Sequence, residues 1–304
     1  MTTQFAEFSG AWTALVTPFN TNTSIDYTSL AGLIEHQISW GIDGILLLGT
    51  TAEAPTLTSE EKKSLVDFAI QKIAGRCKVM VNIGTNCTRE SLDNVAYYDD
   101  ISGIDAYLVV NPYYNKPTQT GLFEHFKVIA SATQKPIFLY NIKWRTGVNL
   151  ETETFMKLLE ICPNIAWVKE ASGDMVQMKD VIQKTQGRCI VLSWDDGLTS
   201  EVLRQRGHGV ISVASNLFPG EVRQMVYAGI SSDFEGMQRI HDNLLPFFEG
   251  QFIQTNPLPI KTALEWSGLM QASFRLPLCP MDTPQKTQWK SIYEDTLKKT
   301  STQR

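Results

Sequence analysis

The chain has 304 residues, of which 43% are hydrophobic and 19% charged, and its 27 Lys and Arg against 32 Asp and Glu leave a net charge of −5. That is the make-up of an ordinary globular protein with room for one large domain or two small ones, and no basic cluster points to nucleic acid. The first ten residues, MTTQFAEFSG, carry no charged segment leading into an apolar run, no stretch approaches the length of a membrane span, and the scattered Cys77, Cys87, Cys162, Cys189 and Cys279 form neither a CxxC pair nor a disulfide framework; a cytoplasmic protein with no membrane partner is expected.

Apolar runs fall at 12–16, 44–48, 79–83, 106–110, 136–140, 165–168, 189–192 and 210–213. Such near-continuous runs suit strands buried on both faces of a parallel sheet. Amphipathic stretches alternate with them at 27–40, 58–74, 89–101, 121–132, 151–161, 175–185, 198–205 and 219–228. The clearest is 58–74. There Thr58 and Glu61 spell a capping box, Leu65, Ala69 and Ile73 share one face, and Gly75 supplies a stop. Eight strand–helix pairs predict a (β/α)8 TIM barrel within residues 1–230. An open doubly wound sheet is the alternative, but no GxGxxG follows the first strand. Further helices at 233–248, 259–267 and 284–300 predict an α-helical C-terminal extension, 231–304, packed on the barrel.

Active sites of such barrels sit at the C-terminal ends of the strands. The segments found there are Gly49-Thr50-Thr51-Ala52-Glu53, Asn111-Pro112-Tyr113-Tyr114-Asn115, Tyr140-Asn141-Ile142-Lys143-Trp144-Arg145-Thr146, Lys169, and Ser193-Trp194-Asp195-Asp196. A lysine that ends a strand at the rim of a buried pocket loses hydration, so its pKa falls and a neutral nucleophilic amine becomes available. The plainer reading is an exposed lysine, or one paired with Glu170. Tyrosine and threonine hydroxyls could move the protons that imine formation needs, and Arg145 could hold a carboxylate in a bidentate pair. Each also has a structural reading: packing for the tyrosines, capping for the threonines, a surface ion pair for the arginine. Gathered at one rim around a strand-end lysine, they favour chemistry. No HExxH and no Cys/His cluster suggests zinc, so an enzyme using neither metal nor cofactor is expected.

The motifs GTTAE at 49–53, NPYYNKP at 111–117, YNIKWRT at 140–146, VKEASG at 168–173, SWDDG at 193–197, GHGVISV at 207–213 and NPLPIK at 256–261 span the chain. With them the sequence resembles the dihydrodipicolinate synthase (4-hydroxy-tetrahydrodipicolinate synthase) family, in the N-acetylneuraminate lyase superfamily of class I aldolases. The resemblance implies a lyase of lysine and diaminopimelate biosynthesis that joins pyruvate to L-aspartate 4-semialdehyde through a lysine Schiff base. It implies that Lys169 forms that base, with Tyr140, Thr50 and Tyr114 as a proton relay. Tyr114 would come across a tight-dimer interface of a homotetramer. Thr51 would hold the pyruvate carboxylate, Arg145 the carboxylate of the second substrate, and Ile211 would offer a backbone carbonyl. Asn86, Glu90 and Tyr113 match the family's lysine-binding regulatory site. Ser59 and Lys62 stand where lysine-sensitive members carry histidines, so weak or absent lysine inhibition is expected.

Five positions depart from the family pattern: Ala52, Asn82, Lys143, Trp144 and Trp194. Trp194, where glycine is usual, either fills the pocket mouth or turns outward. Lys143 adds a second amine that would depress the pKa of Lys169 if it lay close by. Two other readings therefore stand beside the synthase. One is another Schiff-base aldolase acting on a 2-keto acid, natural or redesigned. The other is a barrel that binds a small molecule without turning it over.

Overall fold

A computed structural model describes residues 5–170 and 174–301, without the side chains of Ala166, Trp167, Glu170 and Ser301. Ala171, Ser172 and Gly173, which end the 168–173 motif, lie outside the described residues, as does the side chain of Glu170, the alternative partner for Lys169. The eight strands are β1 (Gly10–Ala14), β2 (Gly44–Leu47), β3 (Lys78–Asn82), β4 (Ala106–Val110), β5 (Ile137–Asn141), β6 (Ile165–Glu170), β7 (Ile190–Ser193) and β8 (Gly209–Ser212). They pair in parallel in sequence order, and β8 closes on β1. The sheet is a closed barrel, not the open doubly wound alternative. Closure needs glycine: a side chain on Gly209, at φ +147°, would run into the Gly10 carbonyl of the next strand.

Between the strands run α1 (Tyr27–Ser39), α2 (Ser59–Ile73), α3 (Thr88–Tyr98), α4 (Gln119–Ser131), α6 (Thr152–Ile161), α7 (Met175–Thr185), α8 (Thr199–Arg204) and α9 (Pro219–Ile230), with a single turn, α5 (Lys143–Thr146), after β5. The expected capping box opens α2. The Glu61 N–H donates to Thr58 Oγ1 at 3.2 Å, and the Thr58 N–H to Glu61 Oε2 at 2.9 Å. The helix ends one residue earlier than expected, because Ala74 already takes the left-handed conformation at φ +50° ahead of Gly75. Three more helices follow the barrel: α10 (Phe234–Gly250), α11 (Leu258–Trp266) and α12 (Thr283–Ser301). Of these, α10 packs between α9 and α12.

Alternation along each strand divides the apolar residues into two cores. Leu47, Val81, Val109, Leu139, Val168 and Val191 face the helices, in the layer between barrel and shell. Trp12, Leu46, Met80, Phe138, Leu192 and Ile211 fill the interior. Phe8 belongs to the interior cluster. Its ring stacks on Trp12 at 6.0 Å, and its carbonyl accepts the Trp12 indole N–H at 2.9 Å. The interior is therefore a solid floor, and Tyr140 belongs to it.

Candidate active site

Strand register brings the central pair together. Tyr140 on β5 is the direct neighbour of Lys169 on β6, and the Lys169 ammonium nitrogen lies 4.5 Å from the Tyr140 ring centroid. Lys169 is only 6% exposed, which rules out a lysine reaching to solvent. Among the described residues no hydrogen bond or ion pair involves it. Burial pushes its pKa down to about 7; the carboxylate of Asp196 partly opposes the shift, and Arg145 adds to it. Near neutral pH a large share of this amine is unprotonated. Tyr140 is as deeply buried, and burial raises its hydroxyl to about 12, held back by Arg145 and by a hydrogen bond with the Thr50 side chain.

Asp196 carries a role the sequence reading did not give it. It is buried at the turn after β7, and its Oδ2 accepts the backbone N–H groups of Val213 and Ala214 at 3.1 and 3.0 Å. Its Oδ1 is withdrawn from solvent and has no hydrogen-bond partner among the described residues. Burial lifts its pKa to about 6, opposed by hydrogen bonds from Ser212 and the two backbone groups. The signal was present in the SWDDG motif, where two adjacent acids end a buried strand; the sequence does not say which of them turns inward.

Thr50 and Thr51 stand on a single 3-10 turn, Thr50–Ala52, directly after β2. Three bonds hold that turn. The Glu53 N–H donates to the Thr50 carbonyl at 3.0 Å, the Thr17 hydroxyl to the Ala52 carbonyl at 2.7 Å, and the Asn256 amide to Thr51 Oγ1 at 2.9 Å. Glu53 takes a left-handed backbone at φ +54°. Its fully buried carboxylate meets the fully buried Lys261 ammonium at 2.5 Å, and Lys261 also donates to the Ser273 carbonyl at 2.6 Å. The GTTAE and NPLPIK motifs are thus two halves of one clamp under the threonines.

Arg145 lies on α5, whose backbone is closed by Arg145 and Thr146 N–H bonds to the Ile142 carbonyl at 3.1 and 3.0 Å. The guanidinium carbon sits 4.3 Å from the Trp144 ring centroid. Burial lowers the Arg145 pKa. Trp194 turns toward the pocket, not outward, and packs at 5.8 Å on both Trp144 and Phe252. Lys143 is exposed and does not line the pocket, so the expectation that it would depress Lys169 is corrected: the cation that does so is Arg145. Lys169, Tyr140, Thr50, Thr51, Arg145 and Asp196 share one cavity of about 40 Å³. At ~10–15 Å³ per water, it holds about three waters, the scale of a three-carbon acid.

A second, larger cleft of about 440 Å³ shares Thr50, Tyr140 and Arg145 as a wall and extends past Asn82 to Lys62, Glu90 and Tyr113. Asn86 lies beside it and donates to the Tyr113 carbonyl at 3.2 Å. Ser59 is exposed at the start of α2, and Ala52 is buried. Tyr114 is not in either cavity. It is 89% exposed, with a left-handed backbone at φ +73° held by its N–H to the Thr146 carbonyl at 3.3 Å. Ile211 lies in the interior floor, and Val213, two residues on, lines the cavity in its place. Among the described residues no group of three or more His, Cys, Asp or Glu side chains is placed to hold a metal ion, and no helix is long and apolar enough to cross a membrane.

The profile of the dihydrodipicolinate synthetase family matches residues 7–296. A 4-hydroxy-tetrahydrodipicolinate synthase of Parabacteroides distasonis is 41% identical over 271 residues, 89% of this chain and 91% of its own. The structure of the 4-hydroxy-tetrahydrodipicolinate synthase from Methylacidiphilum fumariolicum superposes with a TM-score of 0.95 at 39% identity, covering 97% of this chain and 98% of that one. A structure described as the first monomeric dihydrodipicolinate synthase variant superposes with a TM-score of 0.92 at 35% identity, covering 96% and 98%.

Proposed function

The chain belongs to the dihydrodipicolinate synthetase family, and from that premise we propose that it is a lyase that condenses pyruvate with L-aspartate 4-semialdehyde to 4-hydroxy-tetrahydrodipicolinate. The observation that carries the proposal is Lys169: buried against Tyr140, without an ion pair among the described residues, and titrating near neutrality. The neutral amine attacks the pyruvate ketone to give a carbinolamine. Tyr140, protonated at every physiological pH, gives a proton to the departing hydroxyl and recovers one through Thr50. Water leaves and the imine forms. Loss of a methyl proton gives the enamine, whose carbon attacks the aldehyde. The amine of the adduct then attacks the imine carbon, closes the ring and expels Lys169.

Asp196 stabilises the ammonium form of Lys169 and so keeps the pKa from falling further. Thr51, fixed by Asn256, is placed for the pyruvate carboxylate. Arg145, on the wall common to the two cavities, is placed for the carboxylate of the second substrate. Arg145, a cation on the wall common to both cavities, favours this carboxylate-bearing acceptor over a sugar aldehyde.

The working unit we infer is a tight dimer, two of which form a homotetramer. The exposed Tyr114 completes the relay of a neighbouring copy, and its constrained backbone supports that role. The lysine iminium is the electron sink for loss of the methyl proton, so the reaction needs no cofactor. The five free cysteines fit the cytoplasm. Glu90 and Tyr113 in the outer cleft match the family's regulatory site, but Lys62 places a cation on its wall. Submillimolar lysine is expected to inhibit weakly or not at all.

The test is turnover. The purified chain with pyruvate and L-aspartate 4-semialdehyde is expected to yield the cyclic product by mass spectrometry, and with pyruvate and a sugar aldehyde to yield none. Turnover of the sugar aldehyde alone would assign a different aldolase; no turnover of any aldehyde would leave a binding barrel.

A further inference from the structure

Loss of the methyl proton from the pyruvyl imine needs a base, and the side chains around the Lys169 cavity narrow the choice. A base must hold a lone pair that a proton can occupy near neutrality. Tyr140 does not qualify: burial holds its hydroxyl at about 12, so it enters this step as a neutral phenol. The threonines and amides of the wall are neutral, Arg145 is a cation, and the Lys169 nitrogen is committed to the imine. Asp196 is the one carboxylate among the described residues that line the cavity, and they include no histidine, glutamate or cysteine.

The carboxylate is held in a manner that suits this role. Its Oδ2 accepts the Val213 and Ala214 N–H groups at 3.1 and 3.0 Å, which pins the side chain to the turn after β8. Its Oδ1 is buried and has no hydrogen-bond partner among the described residues. Buried polar atoms are almost always hydrogen-bonded, so this oxygen is an exception that calls for a use. The adjacent Asp195 is engaged elsewhere: its Oδ1 accepts the Gly197 N–H at 2.8 Å, and it does not line the cavity. Electrostatics point the same way. Once the imine has formed, the buried site holds an iminium cation and a carboxylate anion. Moving the methyl proton to the carboxylate leaves an enamine and a carboxylic acid, both neutral, and so relieves the desolvation of two charges. Burial already lifts Asp196 to about 6, within reach of neutrality.

Resting on the synthase reading above, we propose that Asp196 is the base that takes the methyl proton of Lys169-bound pyruvate and later delivers it to the aldehyde oxygen. The methyl C–H bond breaks, and its electron pair forms a C=C bond to the former keto carbon. The C=N pair moves onto the lysine nitrogen, and the proton goes to Asp196 Oδ1. When the enamine carbon bonds to the aldehyde carbon, the nitrogen pair restores C=N and the new alkoxide takes the proton from Asp196. Iminium and carboxylate are regenerated together, with no net proton exchanged with solvent. Asp196 is then a catalytic residue of the carbon–carbon step, and Tyr140 and Thr50 serve imine formation.

The experiment compares wild type, D196N and D196E with pyruvate and L-aspartate 4-semialdehyde. D196N keeps an amide oxygen for the Val213 and Ala214 N–H groups and removes the base; D196E keeps a carboxylate. The readouts are borohydride trapping of pyruvate, kcat, and the isotope effect on kcat with methyl-deuterated pyruvate. D196N is expected to trap pyruvate to the wild-type extent, to lose about 10²- to 10⁴-fold in kcat, as removal of a general base does, and to show an isotope effect at least as large as wild type. D196E is expected to recover part of that kcat. A D196N kcat within a few-fold of wild type would overturn the proposal. So would a lost kcat with a vanished isotope effect, or a parallel loss of trapping, because either places Asp196 in another step. Absence of a pyruvyl adduct in wild type would instead overturn the synthase reading, and this proposal with it.

Discussion

Two lysines in this molecule are buried almost completely, and they have opposite surroundings. Lys261 is 0% exposed and is held by Glu53, by the Ser273 carbonyl and by the faces of Phe19 and Phe274, with centroids 4.5 and 4.9 Å away. Lys169 is 6% exposed, makes no hydrogen bond or ion pair among the described residues, and has its nitrogen 4.5 Å from the Tyr140 ring centroid. Burial depresses both, Lys261 to about 8 and Lys169 to about 7. For Lys261 the opposing pull comes from Glu53 in direct contact; for Lys169 it comes from Asp196 through the electrostatic field. Depressed basicity is therefore not what sets the proposed nucleophile apart. What marks it is a buried amine whose hydrogen-bonding capacity is left open toward a cavity. Lys261 uses its donors to hold the turn that carries Thr50 and Thr51, whereas Lys169, among the described residues, makes no hydrogen bond and lines the cavity.

Exchange of each lysine for methionine gives the largest contrast. K169M is expected to lower kcat by at least ~10³-fold, as loss of a nucleophile does, while leaving the folded state at least as stable as wild type. The sign of the stability difference follows from the depressed pKa. In wild type the buried charge disfavours the fold below pH 7, and that cost is relieved as pH rises from about 7 toward the unfolded value. K169M should therefore gain most over wild type at low pH in a denaturant titration. K261M should do the reverse. It leaves the Glu53 carboxylate buried and unpaired, a loss of ~3–5 kcal/mol in the same titration, with pyruvate trapping on Lys169 surviving in the folded fraction. Equal stability of wild type and K261M would remove the distinction between the two sites.

A smaller effect is the pH dependence of imine formation. Only the neutral amine attacks, so the rate of pyruvate adduct formation should rise through about pH 7 and then stay flat. A lysine with the ordinary value would keep gaining up to pH ~10. D196N should shift the profile least. Removing the carboxylate that favours the ammonium lowers the Lys169 pKa further, so the midpoint moves to lower pH. A midpoint moved upward would show that Asp196 acts on Lys169 in the opposite sense.

The barrel was legible because its parallel strands are buried on both faces and read as apolar runs, each followed by an amphipathic stretch. Lys169, Tyr140, Thr50, Thr51 and Arg145 were legible because strand ends point to one rim, and the structure places all five around one cavity. Three features were not. Asp196 and its neighbour Asp195 are the same residue type one position apart, and only the turn after β7 decides which one faces Lys169. Lys143 and Arg145 are two positions apart in the segment after β5; the α5 turn sends one to solvent and the other to the cavity wall. Glu53 and Lys261 are 208 residues apart, and no local pattern announces that they meet.

The most direct test of the central claim is borohydride reduction with pyruvate, followed by intact mass and peptide mapping. Wild type is expected to carry one reduced pyruvyl group per chain, on Lys169, and K169M none. A group on Lys143 or Lys261, or no group on the folded wild-type chain, would contradict it.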